Sequence, residues 1–193
     1  WYTIGQTLYP AEGAPAESGP AVVLLTSEEL SQQPALPGLE EVLCHTPPAR
    51  DARVCKAEVR SACMSGTLVL PRQGKGGERP ACGYLVAEKR VVLVDDGDFV
   101  QPVLKRLIKD KRPVEHSVGR FLYAFFEQLI ARDLHRLEEI EELAEQLEDR
   151  VLAHELEDFS APMTALRKQT MAWFRYYSQL DDVACELREN ENG

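Results

Sequence analysis

Two apolar stripes in the C-terminal part of the chain constrain its fold more than any other feature. The first begins at Tyr123 and the second at Met163, and both advance in alternating steps of three and four residues. This spacing places the stripe along one side of a helix, so the sequence predicts two long helices. Because only a short link joins the two helices, the sequence predicts that they form an antiparallel helical hairpin. The stripes consist of Tyr123, Phe126, Ile130, Asp133, Leu137, Ile140, Ala144, Leu147 and Val151, and of Met163, Leu166, Thr170, Trp173, Tyr177, Leu180, Ala184 and Leu187.

The ends of the two helices are marked by residues with a local reason to be there. Pro113 lacks an amide hydrogen, which is harmless in a first helical turn, and this predicts that the first helix starts there. Ser160 is expected to cap the second helix, with Pro162 just inside it. Residues Glu155–Phe159 are expected to form the tight link between the helices.

Negative charge is concentrated in the first helix of this hairpin. Residues 114–158 contain thirteen Asp and Glu against four Lys and Arg, a net charge of −9, whereas residues 1–113 sum to zero and residues 159–193 to −1. Such a helix face often does no more than keep the helix in water. Alternatively, it raises the local concentration of cations, an effect that salt screens.

The N-terminal part of the chain predicts a sheet, so the fold class is α+β. Alternating and continuous apolar runs, bounded by Gly and Pro, are typical of strands. We expect a mixed β-sheet packed with helices over residues 1–112 and the long acidic hairpin over residues 113–193. The predicted strands are Trp1–Gly5 at an edge, Ala21–Thr26, Val54–Arg60, Gly66–Leu70 and a hairpin of Cys82–Ala87 with Arg90–Asp95.

Shorter helices and two loops complete this part of the prediction. Ser27 is expected to cap one helix, and a second short helix is expected over Gly38–Cys44. A third helix, Phe99–Lys111, is expected to be capped by Asp98. The glycine-rich loop at residues 73–79 fits no phosphate-binding pattern.

An Asp-rich turn at Asp95–Asp98 is the one local cluster with the oxygen ligands that Mg²⁺ or Ca²⁺ prefers. Its spacing does not match a calcium-binding helix-loop-helix loop. We therefore interpret it as a turn that caps the following helix, and keep metal binding as the alternative. No metal ligand is assigned from the sequence.

Composition excludes several classes of function. A calculated pI near 5.0 argues against nucleic acid as a partner, because phosphate backbones require clustered Lys and Arg. The one basic cluster is interpreted as the polar face of the third helix. The four histidines stand apart from any Ser or Cys motif that would make a nucleophile, so we do not expect an enzyme. The cluster contains Lys105, Arg106, Lys109, Lys111 and Arg112.

The five cysteines have no spacing that suits a zinc site or a disulfide framework. We expect reduced thiols, most of them buried. No run approaches the roughly 18 apolar residues that cross a bilayer. Because the chain begins at Trp1 rather than Met, we expect it to be part of a longer protein.

The order of elements over residues 53–189 resembles the cytoplasmic domain of CorA-type magnesium transporters. The resemblance is carried by the strand pair, the Cys82–Asp95 hairpin, the helix around Val103–Leu107, the stretch Phe121–Leu152 and the following helix with Arg175–Ser178. The sequence departs from the family at Gln179–Asp182, where the family has Pro-Leu-Arg, and it contains no Gly-Met-Asn.

The resemblance implies that this chain is part of a pentameric ion channel. Members of this family carry a cytoplasmic domain, a stalk helix and two transmembrane segments, and divalent cations bound between neighbouring cytoplasmic domains hold the channel closed. It implies Mg²⁺ as the regulatory or transported ion, with Zn²⁺ or another divalent ion as the alternative, and a location on the cytoplasmic side of the membrane. Membrane contact would occur only through segments outside these residues.

Two functions follow as hypotheses. The first is a cytosolic, cation-sensing domain of a CorA-type divalent metal transporter, which self-associates within the whole protein. The second is a soluble module whose helical hairpin binds a partner helix and has no role in transport. For the chain by itself we expect a monomer or a weak oligomer.

Overall fold

A seven-stranded mixed sheet is the centre of the computed structural model, which describes residues 1–13, 19–72, 79–131, 133–154 and 159–189. The order of the strands is β2-β1-β3-β7-β6-β5-β4. Only β3 and β7 run parallel; all other neighbouring strands are antiparallel. The strands are β1 (Tyr2–Ile4), β2 (Leu8–Pro10), β3 (Ala21–Leu25), β4 (Lys56–Val59), β5 (Met64–Val69), β6 (Ala81–Val86) and β7 (Arg90–Val94).

The sheet is buried on both faces, which explains why its central strands read as continuous apolar runs. Side chains alternate between the two faces along a strand. In β7, Val91 and Leu93 belong to the larger apolar core, while Val92 and Val94 belong to a smaller core on the other face. The chain between residues 36 and 49 covers the smaller core.

Five helices complete the described structure: α1 (Ser27–Ser31), α2 (Val100–Lys109), α3 (Val118–Ile130), α4 (Asp133–Leu152) and α5 (Ser160–Glu189). The larger core is filled by buried side chains of α2, α3 and α5, among them Leu104, Phe121, Phe125 and Trp173. Helices therefore pack on one face of a mixed sheet, and α4 and α5 extend the chain beyond it. The predicted α+β fold class is confirmed.

The prediction of one continuous first helix is wrong. The chain forms α3 and α4 instead, and α3 ends at Ile130 with Ala131 as its C-cap. The two helices pack on different neighbours: α3 lies against α2 and the sheet core, whereas α4 lies against α5. The predicted stripe consequently marks the packed side of the helix from Asp133 onwards but not in α3. There Tyr123, a member of the stripe, is 70% exposed, while Phe121 and Phe125, which are not members, are buried.

Pro113 does not begin a helix either. It forms an isolated bridge with Thr7, and α3 begins at Val118 with Ser117 as its N-cap. The Ser117 hydroxyl accepts a hydrogen bond from the Arg120 amide. Helix α5 begins at Ser160, and the Met163 amide donates to the Phe159 carbonyl. Ser160 is therefore the first helical residue rather than the N-cap that the sequence predicted. The predicted link at Glu155–Phe159 lies outside the described residues except for Phe159.

Two N-terminal predictions also need correction. The edge strand is β2, which was not predicted, and β1 lies between β2 and β3. No helix forms over Gly38–Cys44; turns there lead into a single 3₁₀ turn at Leu43–His45. Both segments are short, and their apolar side chains are fixed by the core they cover rather than by local periodicity.

The cap of α1 was predicted one residue too late. Thr26 is the N-cap: its hydroxyl accepts from the Glu29 amide, and the Glu29 carboxylate accepts from the Thr26 amide. This reciprocal pair is a capping box. Ser27 is instead buried and bonded to Asp96, across the sheet edge.

Three of the five cysteines are buried, as expected for small apolar side chains. Burial raises the pKa of the Cys55, Cys63 and Cys82 thiols, which keeps them protonated and unreactive. Cys44 is exposed and Cys185 is half-buried. All five thiols are free.

Candidate functional surface

Helices α4 and α5 form an antiparallel pair, named the arm from here on. Near one end Leu147 and Arg150 of α4 lie beside Pro162 and Leu166 of α5. At the other end, the first residue of α4, Asp133, is bonded to Tyr177. The hairpin predicted from the two stripes is therefore present, formed by α4 and α5.

A buried carboxylate fixes the base of the arm. Asp133 is only 5% exposed, and its Oδ2 accepts a hydrogen bond of 3.1 Å from the Tyr177 hydroxyl. Burial raises the pKa of Asp133, and the hydrogen bond from Tyr177 opposes that shift. Burial and the neighbouring Asp133 charge also raise the pKa of Tyr177. The polar member of the first stripe thus has a partner on the second.

An aromatic cluster attaches the arm to the sheet. The ring centroids of Trp173, Tyr176 and Tyr177 lie 5.2 to 6.0 Å apart. The rings of Trp173 and Tyr176 pack edge to face. Such contacts add to the area that the rings bury. The Gln179 side chain also accepts a hydrogen bond of 3.0 Å from the Cys55 amide, next to β4. The C-terminal half of α5 is therefore fixed to the sheet.

Tyr176 is the one aromatic member with an unsatisfied polar atom. Its hydroxyl is buried, and among the described residues no group lies within hydrogen-bond distance of it. Burial is the main cause that raises the pKa of Tyr176, followed by the charge of Asp133. The hydroxyl consequently stays neutral, and its ring supplies packing.

The outer side of α4 carries the negative charge that the sequence indicated. Near its N-terminal end, Arg136 contacts Glu139 at 2.7 Å. Further along, a run of exposed carboxylates has no ion-pair partner within the described residues. These carboxylates belong to Glu141, Glu142, Glu145, Glu148 and Asp149. Because they are spread along one helix, these carboxylates create an extended negative potential and do not surround a single point as metal ligands would.

No preformed metal site accompanies this field. The described residues contain no group of three or more His, Cys, Asp or Glu side chains placed to hold a metal ion. In the Asp-rich turn, the Asp95 carboxylate accepts from the amides of Gly97 and Val100, at 2.9 and 2.6 Å. The N-cap position of α2 is Phe99, which makes no side-chain cap bond. The Asp95 carboxylate instead accepts from the amide of Val100, the first residue of the helix, so the predicted cap by Asp98 is wrong. Asp98 adopts a positive φ of 53°.

Large apolar side chains are exposed along the arm and next to it. Leu134, Leu152 and Phe174 are each about two-thirds exposed or more. Further members are Leu143, Val151, Phe159, Met163 and Met171. Exposed apolar surface of this extent is typical of sites that contact another protein or another segment of chain. The stripes predicted some of these positions as internal, including Met163, because both stripes were assumed to be buried throughout.

The basic cluster lies at the C-terminal end of α2 and just after it. Lys105 and Lys109 are exposed, and the Arg112 guanidinium contacts the Glu127 carboxylate of α3 at 2.8 Å. Positive charge near the end of a helix is favourable, because carbonyl dipoles point there. This arrangement agrees with the interpretation of the cluster as a helix face.

Solved structures with the same fold include the soluble domain of CorA and the cytoplasmic domain of ZntB. The soluble domain of CorA from Methanocaldococcus jannaschii superposes with a TM-score of 0.71 at 18% identity, over 98% of this chain and 79% of that domain. The ZntB cytoplasmic domain from Vibrio parahaemolyticus RIMD 2210633 superposes with a TM-score of 0.68 at 12% identity, over 99% of this chain and 79% of that domain. The resemblance predicted from the sequence is thus confirmed for the fold.

Full-length proteins with this fold are longer than this chain. The match to the full-length CmaX protein has a TM-score of 0.69 at 13% identity. It includes 98% of this chain but only 63% of CmaX. This chain spans 62% of the complete CorA magnesium transporter from M. jannaschii. No protein-family model and no curated protein matches the sequence. None of the helices in the described part of the chain is long and apolar enough to cross a membrane.

Proposed function

We propose that this chain is the cytoplasmic, cation-responsive domain of a CorA-type divalent cation transporter, with Mg²⁺ as the ion. The observation that carries the proposal is an acidic arm with exposed apolar side chains on the fold of the CorA soluble domain. The domain would sense rather than catalyse, and transport would reside in membrane segments outside these residues. A division into residues 1–112 and 113–193 remains a prediction.

The response to Mg²⁺ would arise from the charge on α4. When the domains of neighbouring subunits approach, rows of like charge repel each other, and a divalent cation between them removes that repulsion. Mg²⁺ binds oxygen ligands through one or two carboxylates and keeps several waters, so it does not need a preformed cage. The ion would therefore favour the assembled state by binding it more tightly than the separated one.

The exposed apolar side chains support self-association within the whole protein. Leu134 and Phe174 would be covered by a neighbouring subunit or by chain that follows these residues. The carboxylates would set the cation dependence of that contact, and the apolar groups would supply its affinity. Without the rest of the protein, we expect the chain to be a monomer or a weak oligomer in the absence of Mg²⁺.

The test compares thermal melting and light scattering of the chain in millimolar MgCl₂ with NaCl of matched ionic strength. A ligand that binds only folded or assembled protein raises the melting temperature. We expect MgCl₂ to raise it, or to raise the average mass, above the NaCl control. ZnCl₂ in parallel distinguishes the alternative ion. A response equal to that in NaCl contradicts the proposal for this chain.

A matched pair of variants ties the response to the arm. In the first variant, Glu141, Glu145 and Glu148 are replaced by Gln, since these carboxylates are exposed and unpaired within the described residues. The control replaces Glu12, Glu41 and Glu88, which are exposed outside the arm, by Gln. Both remove three charges. We expect the arm variant to lose the Mg²⁺ response and the control to keep it.

A second candidate function is a module that binds a partner helix. It is favoured by a groove of about 260 Å³ between α4 and α5, lined by Leu143, Leu147 and Leu166 together with polar side chains. An amphipathic helix can place its apolar face in such a groove. A chain that shows no cation response, but whose arm is protected from hydrogen exchange by an added amphipathic helix, would favour this function.

A further inference from the structure

A cleft at one edge of the sheet has a composition opposite to that of the whole chain. Its volume is about 560 Å³, within the range of pockets that hold small molecules. The chain has a net charge of −10, yet four of the ten described residues that line the cleft are arginines, and Asp96 is the only acidic one among those ten. The arginines are Arg50, Arg53, Arg72 and Arg79.

Two of the arginines are placed by a short 3₁₀ turn, Ala49–Asp51, that is fastened to the sheet. The Ala49 amide donates to the Ser27 hydroxyl at 3.1 Å, and that hydroxyl donates to Asp96 at 2.5 Å. Ala49 and Ala52 are buried, so the turn is anchored and Arg50 and Arg53 point outwards from it. Among the described residues, the Arg53 guanidinium donates to the backbone carbonyls of residues 50 and 52 and to no carboxylate.

The other two arginines are brought together by strand pairing. Arg72 follows β5 and Arg79 precedes β6, and these strands are antiparallel neighbours. A hydrogen bond of 2.9 Å from the Leu70 amide to the Pro80 carbonyl holds the two chain ends side by side. Both arginines are exposed, and no carboxylate of the described residues lies within ion-pair distance of either one.

Asp95 and Asp96, which follow β7 at this edge, both accept hydrogen bonds from groups of the protein. The Asp96 carboxylate accepts both the amide and the hydroxyl of Ser27, at 2.6 and 2.5 Å. The Asp95 carboxylate accepts from the amides of Gly97 and of Val100, the first residue of α2. Neither carboxylate forms an ion pair with an arginine of the cleft among the described residues. Within the described residues, Arg50, Arg72 and Arg79 have no ion-pair partner, and Arg53 uses one guanidinium nitrogen, Nη1, on backbone carbonyls. Most of the guanidinium donors that the described residues place at the cleft are therefore left for a ligand from solution.

We propose that this cleft binds a phosphate-bearing anion with two or more negative charges, such as a nucleoside diphosphate or a phosphorylated headgroup. Each guanidinium presents a planar set of donors that matches two oxygens of a phosphate, and several arginines favour an anion that can accept from more than one of them. A monovalent carboxylate would leave most of these donors unused. The proposal goes beyond cation sensing and concerns a different surface.

The glycines between Arg72 and Arg79, which the sequence predicted to form a loop, lie outside the described residues and are not the source of this inference. Their sequence fits no P-loop pattern, and the anion would be held by the arginine side chains of the cleft. This arrangement also differs from the arm, where carboxylates are exposed. An anion in the cleft and a cation at the arm would bind at sites of opposite charge on one chain.

The test is isothermal titration of the whole chain with inorganic pyrophosphate and with ATP, in EDTA so that no divalent ion takes part. Phosphatidylcholine vesicles with and without a phosphoinositide form a second arm. The variant R72Q/R79Q removes two guanidinium groups from the cleft. The control R167Q/R175Q removes two exposed arginines of α5, and R72K/R79K keeps the charge but not the planar donors.

We expect saturable binding of pyrophosphate or ATP that is about tenfold weaker in R72Q/R79Q, unchanged in R167Q/R175Q and intermediate in R72K/R79K. Equal melting temperatures of the variants would show that folding is unaffected. Binding to phosphoinositide vesicles with the same variant pattern would identify a lipid headgroup as the source of the phosphate. Equal losses in both glutamine variants, or no binding of any probe to the wild type, would overturn the proposal.

Discussion

The sheet region, formed by β1–β7 with α2, and the arm, formed by α4 and α5, use the same residue types in opposite ways. In the sheet region, the carboxylates of Asp95 and Asp96 accept hydrogen bonds from protein groups. On the arm, a row of carboxylates faces water without ion-pair partners among the described residues. Apolar side chains follow the same division: those of β7 are buried, whereas Leu134 and Phe174 are exposed.

This difference shows which part of the chain is complete in itself. The sheet region buries its central strands on both faces, and its carboxylates Asp95 and Asp96 are bonded within the protein. The arm is fixed at its base, through Asp133, Tyr177 and Trp173, while most of its length offers charge and apolar surface outwards. The surfaces that remain to be covered are therefore on the arm, which is where we propose the contacts with cations and neighbouring subunits.

The largest expected effect contrasts a buried with an exposed phenylalanine. Phe125 is 1% exposed in the larger core, and Phe125→Ala should lower the free energy of unfolding by about 3–5 kcal/mol, because it leaves a cavity. Phe174 is 68% exposed on α5, so Phe174→Ala should change it by less than about 0.5 kcal/mol. Urea denaturation of the two variants measures the contrast. Similar losses would mean that the arm is packed as tightly as the sheet.

The next effect concerns the base of the arm. Tyr177→Phe removes the hydroxyl that donates to Asp133 and leaves a buried carboxylate without that donor. We expect a loss of about 1–3 kcal/mol in the free energy of unfolding. Tyr123→Phe is the control, since the Tyr123 side chain is exposed on α3. If both variants are equally stable, the Asp133 bond does not fasten the arm.

A smaller effect distinguishes the two candidates for the cap of α2. Asp95→Ala removes the acceptor of the Val100 amide and should cost about 0.5–2 kcal/mol. Asp98→Asn removes a charge at a position of positive φ, which Asn tolerates, and should change stability by less than about 0.5 kcal/mol. Thermal melts of both variants against wild type measure the two effects. A larger loss of stability in Asp98→Asn than in Asp95→Ala would support the cap by Asp98 that the sequence predicted.

The subtlest effect is a dependence on pH at the arm. The folded pKa of Asp133 is raised above its usual value by burial, so the folded state binds this proton more tightly than the unfolded state. The ionised group thus opposes folding above the folded pKa, and this penalty disappears as the pH falls through it towards the unfolded value. Asp133→Asn lacks the penalty.

We therefore expect the stability of Asp133→Asn relative to wild type to be most favourable near neutral pH and to decline as the pH is lowered towards about 4. Urea denaturation at a series of pH values, analysed as the difference between the two proteins, measures this trend. Asp98→Asn in the same series controls for the general effect of removing a carboxylate. A difference that is constant with pH contradicts the assigned direction.

Much of the sheet could be predicted because its strands carry local signals. The β6–β7 hairpin and β3 were recognised from runs of β-branched residues bounded by polar turns. In contrast, β2 contains only three residues and includes Pro10, so nothing local distinguishes it from a loop. The 3₁₀ turn at Ala49–Asp51, which places Arg50 at the cleft, has no periodicity at all.

The arm was predicted as a hairpin, but its boundaries were not. A stripe of alternating threes and fours runs through both α3 and α4, although these helices bury different faces. Periodicity reports which residues share a side of an ideal helix, but it does not report which neighbour that side meets. The row of exposed carboxylates was predicted from the charge count, whereas the exposure of Phe174 was visible only in the structure.

The sequence by itself determined the α+β class, the central strands, the paired helices and the concentration of negative charge on one of them. Each depends on residues close together in the chain, whose spacing or charge acts locally. Only the tertiary structure decided where α3 ends and that four arginines from two separate segments meet in one cleft. These features arise from contacts between residues far apart in sequence, and such contacts leave no periodic or compositional signal.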